Sequence, residues 1–167
     1  MFPAPVSAIS HSLILLRHGL KTLGLDADRN PLRWVNANGL MERDVMTSSL
    51  FNLEEADVVA SVVSSLFRSI PPNQIMVLAP YRKQVVVLRE KLPSTVTTFT
   101  VDEVIGQVRP VVDVSLVRSE RSGPNAKNHG VGFLKEPNRV NVLICRAKEI
   151  VIPVGSRNHF HNSRISF

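Results

Sequence analysis

The sequence predicts an α/β domain, with a parallel sheet and helices packed on both of its faces. Short apolar runs rich in valine, isoleucine and leucine alternate with longer segments in which apolar residues recur every three or four positions. The first pattern is typical of strands buried on both faces, and the second is typical of amphipathic helices. Of the 167 residues, 44% are hydrophobic and only 5% aromatic, so we expect one folded domain with an aliphatic core.

The first thirty residues show no sustained periodicity, and a helix is suggested only around 12–23. We therefore expect residues 1–30 to be poorly ordered or to form a loosely packed helix. The segment 31–36 alternates like a strand, with Trp34 as its expected buried anchor. The polar segment 39–49 is predicted to be a loop.

The first clear helix begins after Asn52. Asn52 can cap it, and Glu55 three residues later completes a capping box, in which each side chain bonds the backbone N–H of the other residue. Five apolar residues then share one helical face: Val59, Val62, Val63, Leu66 and Ile70. Pro71 and Pro72 end the helix.

Strands and helices alternate through the rest of the chain. Strands are predicted over 75–78, 96–101, 111–117 and 150–154, and helices over about 81–92 and 137–148. A long polar loop is predicted over 119–132. Ligands of parallel sheets bind at the carboxyl ends of the strands. The segments at these ends are 79–81, 100–102, 118–119 and 155–156.

The positive charge is concentrated in the C-terminal third. The net charge is +6, and residues 118–164 contain nine basic residues against three acidic ones, so the rest of the chain is neutral overall. Such a concentration favours a polyanionic partner. A solvated basic face with no partner is equally compatible with charge alone.

The single cysteine, Cys145, excludes an internal disulfide and fits a reducing compartment. No apolar run approaches the roughly 20 residues that a transmembrane helix requires. We therefore expect an intracellular protein, in the cytoplasm or nucleus, with no membrane partner. Cys145 and His129, His159 and His161 match no standard zinc spacing, so no metal site is predicted and Cys145 is interpreted as inert.

Four segments, in order and close to the usual spacing, resemble motifs of superfamily 1 helicases. Residues 79–84 (APYRKQ) resemble TPYxxQ, and residues 100–106 (TVDEVIG) resemble TVDxFQG. Residues 114–119 (VSLVRS) resemble the SLVRS strand, and residues 132–148 resemble the GFL…RRxNVAxTRAK segment. The resemblance covers about 31–160 and is to the group that includes the nonsense-mediated-decay helicases. The sequence of residues 132–141 is most similar to that of helicases that carry NFX-type zinc fingers.

The resemblance implies a RecA-like fold, the second lobe of a P-loop NTPase-like pair. The C-terminal helicase domain would be residues 31–160, between the N-terminal segment 1–30 and a tail at 161–167. The resemblance also assigns sites. Arg146 would be the arginine finger that reaches the γ-phosphate of ATP held by the other lobe, and Arg139 and Gly106 would lie on the nucleotide side. Five residues would lie along the single-strand path: Pro80, Tyr81, Thr100, Arg118 and Lys135.

Alternatives remain open at several of these residues. In a helix that runs from Pro137 to Lys148, Arg139 and Arg146 are seven positions apart and lie on one edge, where they could bind phosphate or form ordinary surface ion pairs. Tyr81 could stack on a base, although its place on the apolar stripe of its helix favours packing. Thr100 could donate its hydroxyl to a phosphate or be a common strand-terminal threonine.

The sequence also departs from the family, so the resemblance is partial and degenerate. It contains no GxxxxGK[ST] phosphate loop, no acidic magnesium-binding segment after a strand and no QYRMHP segment. Glu103, Val104 and Ile105 stand where the family has Gly, Phe and Gln. Pro110 and Asp113 fall in or beside a strand that is predicted to be central, where a proline removes a ladder bond and a carboxylate is costly to bury.

These departures limit the expected function. We expect ATP and Mg²⁺ to be bound only when a second lobe is supplied, and the isolated chain to be inactive as an ATPase. The expected partners are single-stranded RNA or DNA and the N-terminal helicase lobe or a parent protein. The alternative is a non-catalytic remnant that binds nucleic acid or a protein through its basic face.

Overall fold

The computed structural model describes residues 14, 16–19, 21, 24, 31–119 and 131–162. The strands are β1 (Val35–Asn36), β2 (Glu42–Arg43), β3 (Leu50–Phe51), β4 (Ile75–Ala79), β5 (Thr97–Thr100), β6 (Arg109–Ser115) and β7 (Ala147–Gly155). The helices with complete bounds are α1 (Leu53–Leu66), α2 (Arg82–Lys91), α3 (Pro137–Ile144) and α4 (Arg157–Asn162). Short 3-10 turns occupy Pro72–Gln74 and Gly132–Lys135.

Five strands form one sheet in the order β1-β7-β6-β4-β5, and every pair in it is parallel. Strands β2 and β3 form a separate antiparallel hairpin. The two faces of the sheet bury different side chains. Val77, Val111 and Ile152 pack with α1 and α2 on one face, whereas Met76, Val112 and Val151 pack with α3 and α4 on the other. The predicted α/β fold, a RecA-like parallel sheet with helices on both faces, is confirmed.

Two predicted helices are longer than the observed ones. The first ends at Leu66 instead of Ile70, and α3 ends at Ile144 instead of Lys148. The reason is clear for α3: Ala147 pairs with Arg109 in the ladder between β6 and β7, so the chain must leave the helix before that residue. The predicted loop over 39–49 contains β2, which pairs with β3.

The first strand is shorter than predicted, and Trp34 lies just before it. Only Val35 and Asn36 pair with β7, although Leu32 forms an isolated bridge to Val151. Trp34 is half-buried, not largely buried as predicted, and meets the ring of Phe160 edge-on at 5.8 Å between centroids. The strand lies at the edge of the sheet and pairs only with β7.

Pro110 and Asp113 both fall in a central strand, because β6 begins and ends two residues earlier than the predicted strand 111–117. Pro110 coincides with the irregularity in register between β6 and β7, where a missing N–H is tolerated. Asp113 lies in mid-strand and is fully buried. Most of the predicted loop over 119–132 and of the N-terminal segment 1–30 lies outside the described residues, as do residues 163–167 of the predicted tail, although residues 16–19 are helical. Among the described residues, no helix is long and apolar enough to cross a bilayer.

Candidate functional site

The residues that follow the carboxyl ends of β4, β5 and β6 lie at one edge of the sheet, here called the carboxyl edge. Pro80 and Tyr81 come directly after β4, and Tyr81 is the residue that precedes the first turn of α2. Arg118 lies three residues past the end of β6, the neighbouring strand. The Nε of Arg118 donates a hydrogen bond of 2.8 Å to the Tyr81 hydroxyl, and its guanidinium carbon lies 5.7 Å from the centroid of the Tyr81 ring.

A third segment meets this pair through a glycine. Gly132 has a φ of +54°, and a Cβ built on it would lie 2.5 Å from Nη2 and 2.8 Å from Cζ of Arg118. The guanidinium therefore rests against the backbone of Gly132, in a space that any side chain would fill. Lys135 lies at the end of the same 3-10 turn and is exposed. Segments far apart in sequence thus converge on Arg118, and Lys135 adds a positive charge.

Tyr81 packs as the apolar stripe suggested. Its half-buried ring contacts a small cluster formed by Met41, Leu50 and Val117, while its hydroxyl accepts the bond from Arg118. The packing alternative therefore describes Tyr81 in this structure. Pro80 is half-exposed beside it.

Thr100 bonds the side chain of Glu103, three residues further along the chain. It is buried at the end of β5, and its backbone N–H donates to Oε2 of Glu103 at 3.1 Å. The hydroxyl of Thr100 also bonds this carboxylate, and the two hydrogen bonds, the backbone one first, lower the pKa of Glu103. A carboxylate therefore already accepts from the hydroxyl that the phosphate-donor alternative requires.

A tight turn at Val117 directs the chain from β6 to Arg118. The N–H of Arg118 bonds the carbonyl of Leu116 at 2.8 Å, and Val117 between them has a φ of +70°. This is a three-residue γ-turn of the positive-φ type, which is rare and strained, above all for a β-branched residue. Both backbone polar groups of Val117 bond to side chains near the start of α1. Its N–H donates to Oε1 of Glu55 at 2.7 Å, and its carbonyl accepts from Nδ2 of Asn52 at 3.3 Å.

These bonds belong to a buried polar network at the carboxyl edge. Glu55 Oε1 also accepts from the Ser115 hydroxyl at 2.5 Å, and that hydroxyl accepts from Gln84 Nε2 at 2.9 Å. Gln84 further bonds the backbone N–H and carbonyl of Asn52. The network ties the start of α1 and the first turn of α2 to the end of β6.

Half of the predicted capping box is wrong. The Asn52 side chain accepts the Glu55 N–H at 3.0 Å, as predicted, but the Glu55 carboxylate does not return to Asn52. Gln84 takes the Asn52 N–H instead, which leaves Glu55 to bond Ser115 and Val117. Sequence reasoning missed this role because a capping pattern describes one helix alone, whereas the partners of Glu55 lie 60 and 62 residues away.

Burial dominates the electrostatics of this network. Desolvation raises the pKa of Glu55 to about 7, although the hydrogen bonds from Ser115, Val117 and Leu116 oppose the rise. Asp113 lies two residues before Ser115 on the same face of β6, and neither of its carboxylate oxygens has a hydrogen-bond partner among the described residues. Its pKa is raised well above the usual value, first by burial and then by the negative charge of Glu55.

The residues predicted to face a nucleotide lie elsewhere. Arg146 is in the turn between α3 and β7, not in the helix, and its Nε donates to the carbonyl of Val142 at 3.3 Å. Arg139 lies in the first turn of α3 and bonds Oε2 of Glu136 at 3.0 Å. The prediction that both guanidiniums share one helix edge is therefore wrong, since the helix ends between Arg139 and Arg146.

A further arginine lies beside Arg146, at the start of the strands. The N–H of Arg109 bonds the carbonyl of Arg146 at 3.0 Å, which joins the beginnings of β6 and β7. Gly106 is three residues before Arg109 and exposed, with a φ of +73°, and no atom of the described residues lies within 4 Å of a Cβ built on it. We call Gly106, Arg109 and Arg146 the amino-edge group. Arg109 was missed because the ladder register, not sequence spacing, places it next to Arg146.

The described part of the chain contains no group of three or more metal-ligating side chains that could hold an ion. Cys145 is exposed and lies in the turn before Arg146. His159 is buried against Phe160, with ring centroids 5.2 Å apart, and His129 lies outside the described residues.

Comparison with known proteins matches residues 10–158 to a family described as an AAA domain. The chain is 32% identical over 139 residues to an uncharacterized ATP-dependent helicase of Methanocaldococcus jannaschii, covering 81% of this chain and 19% of that protein. It is 32% identical over 127 residues to helicase sen1 of Schizosaccharomyces pombe, covering 69% of this chain and 7% of the relative.

A human helicase is also similar over most of the chain. The chain is 29% identical over 138 residues to the DNA replication ATP-dependent helicase/nuclease DNA2 of Homo sapiens, covering 80% of this chain and 12% of that protein. The chain therefore spans less than a fifth of the length of each of these three relatives.

Proposed function

Because the chain belongs to the AAA domain family, within the superfamily 1 helicase group that its motifs resemble, we propose that it serves as the C-terminal RecA-like lobe of a nucleic-acid helicase. Its own contribution is a single-strand contact at the carboxyl edge. The observation that carries the proposal is that the Tyr81 side chain and the Gly132 backbone both contact the guanidinium of Arg118.

The contact is electrostatic. Arg118 offers a planar guanidinium whose orientation is fixed by the Tyr81 hydroxyl and by the backbone of Gly132, and planar donors of this kind suit phosphate oxygens. Lys135 adds a second, exposed positive charge on the neighbouring turn. Since Tyr81 is used for packing, base stacking contributes little, and binding is expected to be weak and independent of base sequence.

The amino-edge group could contribute to a nucleotide site, but it could not form the whole site. Arg146 is half-exposed, and the open, positive-φ Gly106 leaves room for a close approach by a phosphate. The phosphate loop and magnesium ligands are missing from this sequence, so ATP and Mg²⁺ would be held by a second lobe, and Arg146 would serve there as an arginine finger. Arg139 contributes less, because its guanidinium is paired with Glu136.

A second candidate is the non-catalytic remnant, which binds nucleic acid or a protein through its basic face. The bonding of Thr100 to the Glu103 carboxylate favours this candidate, because the Thr100 hydroxyl is then engaged away from a phosphate. Asp113 favours it too, because a fully buried carboxylate without a hydrogen-bond partner among the described residues destabilises the sheet. The two candidates share the carboxyl-edge contact and differ in whether Arg146 acts on ATP.

The proposal is tested by titrating fluorescein-labelled 20-nucleotide RNA and DNA single strands with the purified chain at low and moderate salt. Arg118→Glu and Lys135→Glu should each weaken binding about five- to tenfold, and log K should fall with log [salt] by about 0.7 per phosphate contact. Arg146→Ala, the control at the other edge, should bind like the parent chain. Absence of binding at low salt, or equal losses in all three variants, would sink the carboxyl-edge contact.

The finger role needs the partner lobe. Adding a separately produced N-terminal helicase lobe with an intact phosphate loop should give nucleic-acid-stimulated ATP hydrolysis that Arg146→Ala reduces about a thousandfold or more. Hydrolysis by the mixture that is insensitive to Arg146→Ala would leave the remnant candidate.

A further inference from the structure

We propose that Glu55 is a positioning residue of the strand-binding edge: its buried carboxylate holds the γ-turn at Val117 and thereby aims Arg118 at the strand. This inference rests on the proposed function, because Arg118 matters only if the carboxyl edge binds nucleic acid. It assigns a positioning role to a buried residue in the first turn of α1.

The γ-turn needs an external support. Val117 is β-branched and fully buried, yet it has a φ of +70°, a conformation that such residues avoid. Strain of this kind persists only where surrounding contacts over-determine the backbone. The described contacts that do so are the bond from the Val117 N–H to Glu55, the bond from Asn52 to the Val117 carbonyl, and the turn's own bond between Arg118 and Leu116.

The turn also decides where the next side chain goes. In an extended continuation of β6, residues 117 and 118 would alternate across the sheet. With Val117 in the left-handed region, the chain reverses this course, and the Arg118 guanidinium reaches the Tyr81 hydroxyl at 2.8 Å and the backbone of Gly132. Without the Glu55 acceptor, Val117 should relax toward negative φ and carry Arg118 away from Tyr81.

Glu55 is rigid enough to serve as this support. Its residue is fully buried, and its Oε1 accepts from both Ser115 and Val117. Ser115 is fixed in turn by Gln84, which is bonded to the backbone of Asn52. A displacement at Glu55 is therefore transmitted to Arg118 through only one residue, Val117.

The experiment compares Glu55→Ala and Glu55→Gln with matched controls at Glu54, the adjacent exposed glutamate in the same helical turn. Binding of labelled single-stranded RNA is measured against salt. Glu55→Ala should weaken binding about five- to tenfold and reduce the salt slope by about 0.7, the value of one lost phosphate contact. Glu55→Gln retains an acceptor oxygen and should restore most of the affinity. Glu54→Ala and Glu54→Gln should bind like the parent chain.

A double-mutant cycle separates positioning from general damage. If Glu55 acts through Arg118, Glu55→Ala should weaken binding little further in an Arg118→Ala background. Amide exchange gives a readout independent of nucleic acid: the Val117 N–H should exchange faster in Glu55→Ala, whereas the amides of β4 keep their protection.

Failure of the proposed function and failure of the positioning role give different results. If the parent chain binds no RNA, the proposed function fails, whereas faster exchange at Val117 alone would still show that Glu55 holds the turn. If the parent chain binds RNA and Glu55→Ala binds equally well, or its loss adds fully to that of Arg118→Ala, the positioning role is overturned. If Glu55→Ala does not fold, the comparison of Glu55→Gln with Glu54→Gln decides, because a large loss in Glu55→Gln despite the retained acceptor would contradict the role.

Discussion

Replacing Asp113 by valine should make this protein more stable. The side chain is fully buried in β6, whose neighbours in register are Val77 of β4 and Ile152 of β7. Neither carboxylate oxygen has a hydrogen-bond partner among the described residues. An unsatisfied buried polar group costs about 1–3 kcal/mol, and burying a valine contributes about 1.5–3 kcal/mol. Allowing for imperfect packing, we expect a gain of about 2–4 kcal/mol in the free energy of unfolding at neutral pH.

The gain should depend on pH, and its sign follows from the raised pKa of Asp113. A folded-state pKa above the unfolded value means that the folded protein binds more protons, so stability falls as pH rises from the unfolded value toward the folded one. Glu55, whose pKa is raised to about 7, contributes in the same direction between its usual pKa and pH 7. Asp113→Val removes only the first contribution, so its advantage should be smallest near pH 4 and larger at pH 7.

The assay is thermal and urea unfolding followed by circular dichroism between pH 4 and pH 8. A gain of this size should raise Tm by about 5–15 °C for a chain of this length. Asp113→Asn is the matched variant, because it removes the charge but keeps an unsatisfied polar group, so it should flatten the pH dependence with a smaller gain. Asp102→Asn, at an exposed aspartate, should change stability by less than about 0.5 kcal/mol. If Asp113→Val is no more stable than the parent chain, or its gain is the same at pH 4 and pH 7, the buried carboxylate of Asp113 does not destabilise the fold.

Three further predictions concern the edge strand, the glycine contact and catalysis. Trp34→Ala should lower the free energy of unfolding by about 2–3 kcal/mol, below the roughly 3–5 kcal/mol of a fully buried aromatic, because Trp34 is half-buried. Urea unfolding measures this loss, and a loss above about 3 kcal/mol would contradict the observed burial. Gly132→Ala should weaken RNA binding about threefold or more, because the added methyl group displaces the Arg118 guanidinium. It should also introduce about 1–2 kcal/mol of backbone strain. An unchanged affinity in anisotropy titrations would contradict the contact between Gly132 and Arg118. The isolated chain should release no phosphate from ATP with or without RNA, and turnover that survives repurification would contradict this.

The alternating pattern was enough to predict the sheet and the helices around it, because burial of β4, β6 and β7 on both faces leaves continuous apolar runs in the sequence. Ends of elements were predicted less well. Whether residues 145–148 continue a helix or begin a strand depends on pairing with Arg109, a partner that local periodicity cannot reveal.

The candidate site, too, could be predicted only in part. Tyr81 and Arg118 could be placed at one edge from the rule for parallel sheets, yet their direct bond could not be predicted. The roles of Glu55 and Gln84 depend on a network that joins two helices and a strand. Arg139 and Arg146 looked adjacent only because the helix was assumed to continue.

The central claim, that the carboxyl edge of the sheet binds a single strand, is tested most directly by NMR on the isotopically labelled chain titrated with a short single-stranded RNA. Strand binding at this edge should give chemical-shift changes at the amides of Tyr81, Arg118 and residues 132–135 that reverse when salt is added. The amides of Arg109 and Arg146 should stay unchanged, because they lie at the starts of β6 and β7. Shifts confined to residues 106–109 and 146, or no shifts at low salt, would show that the carboxyl edge does not bind the strand.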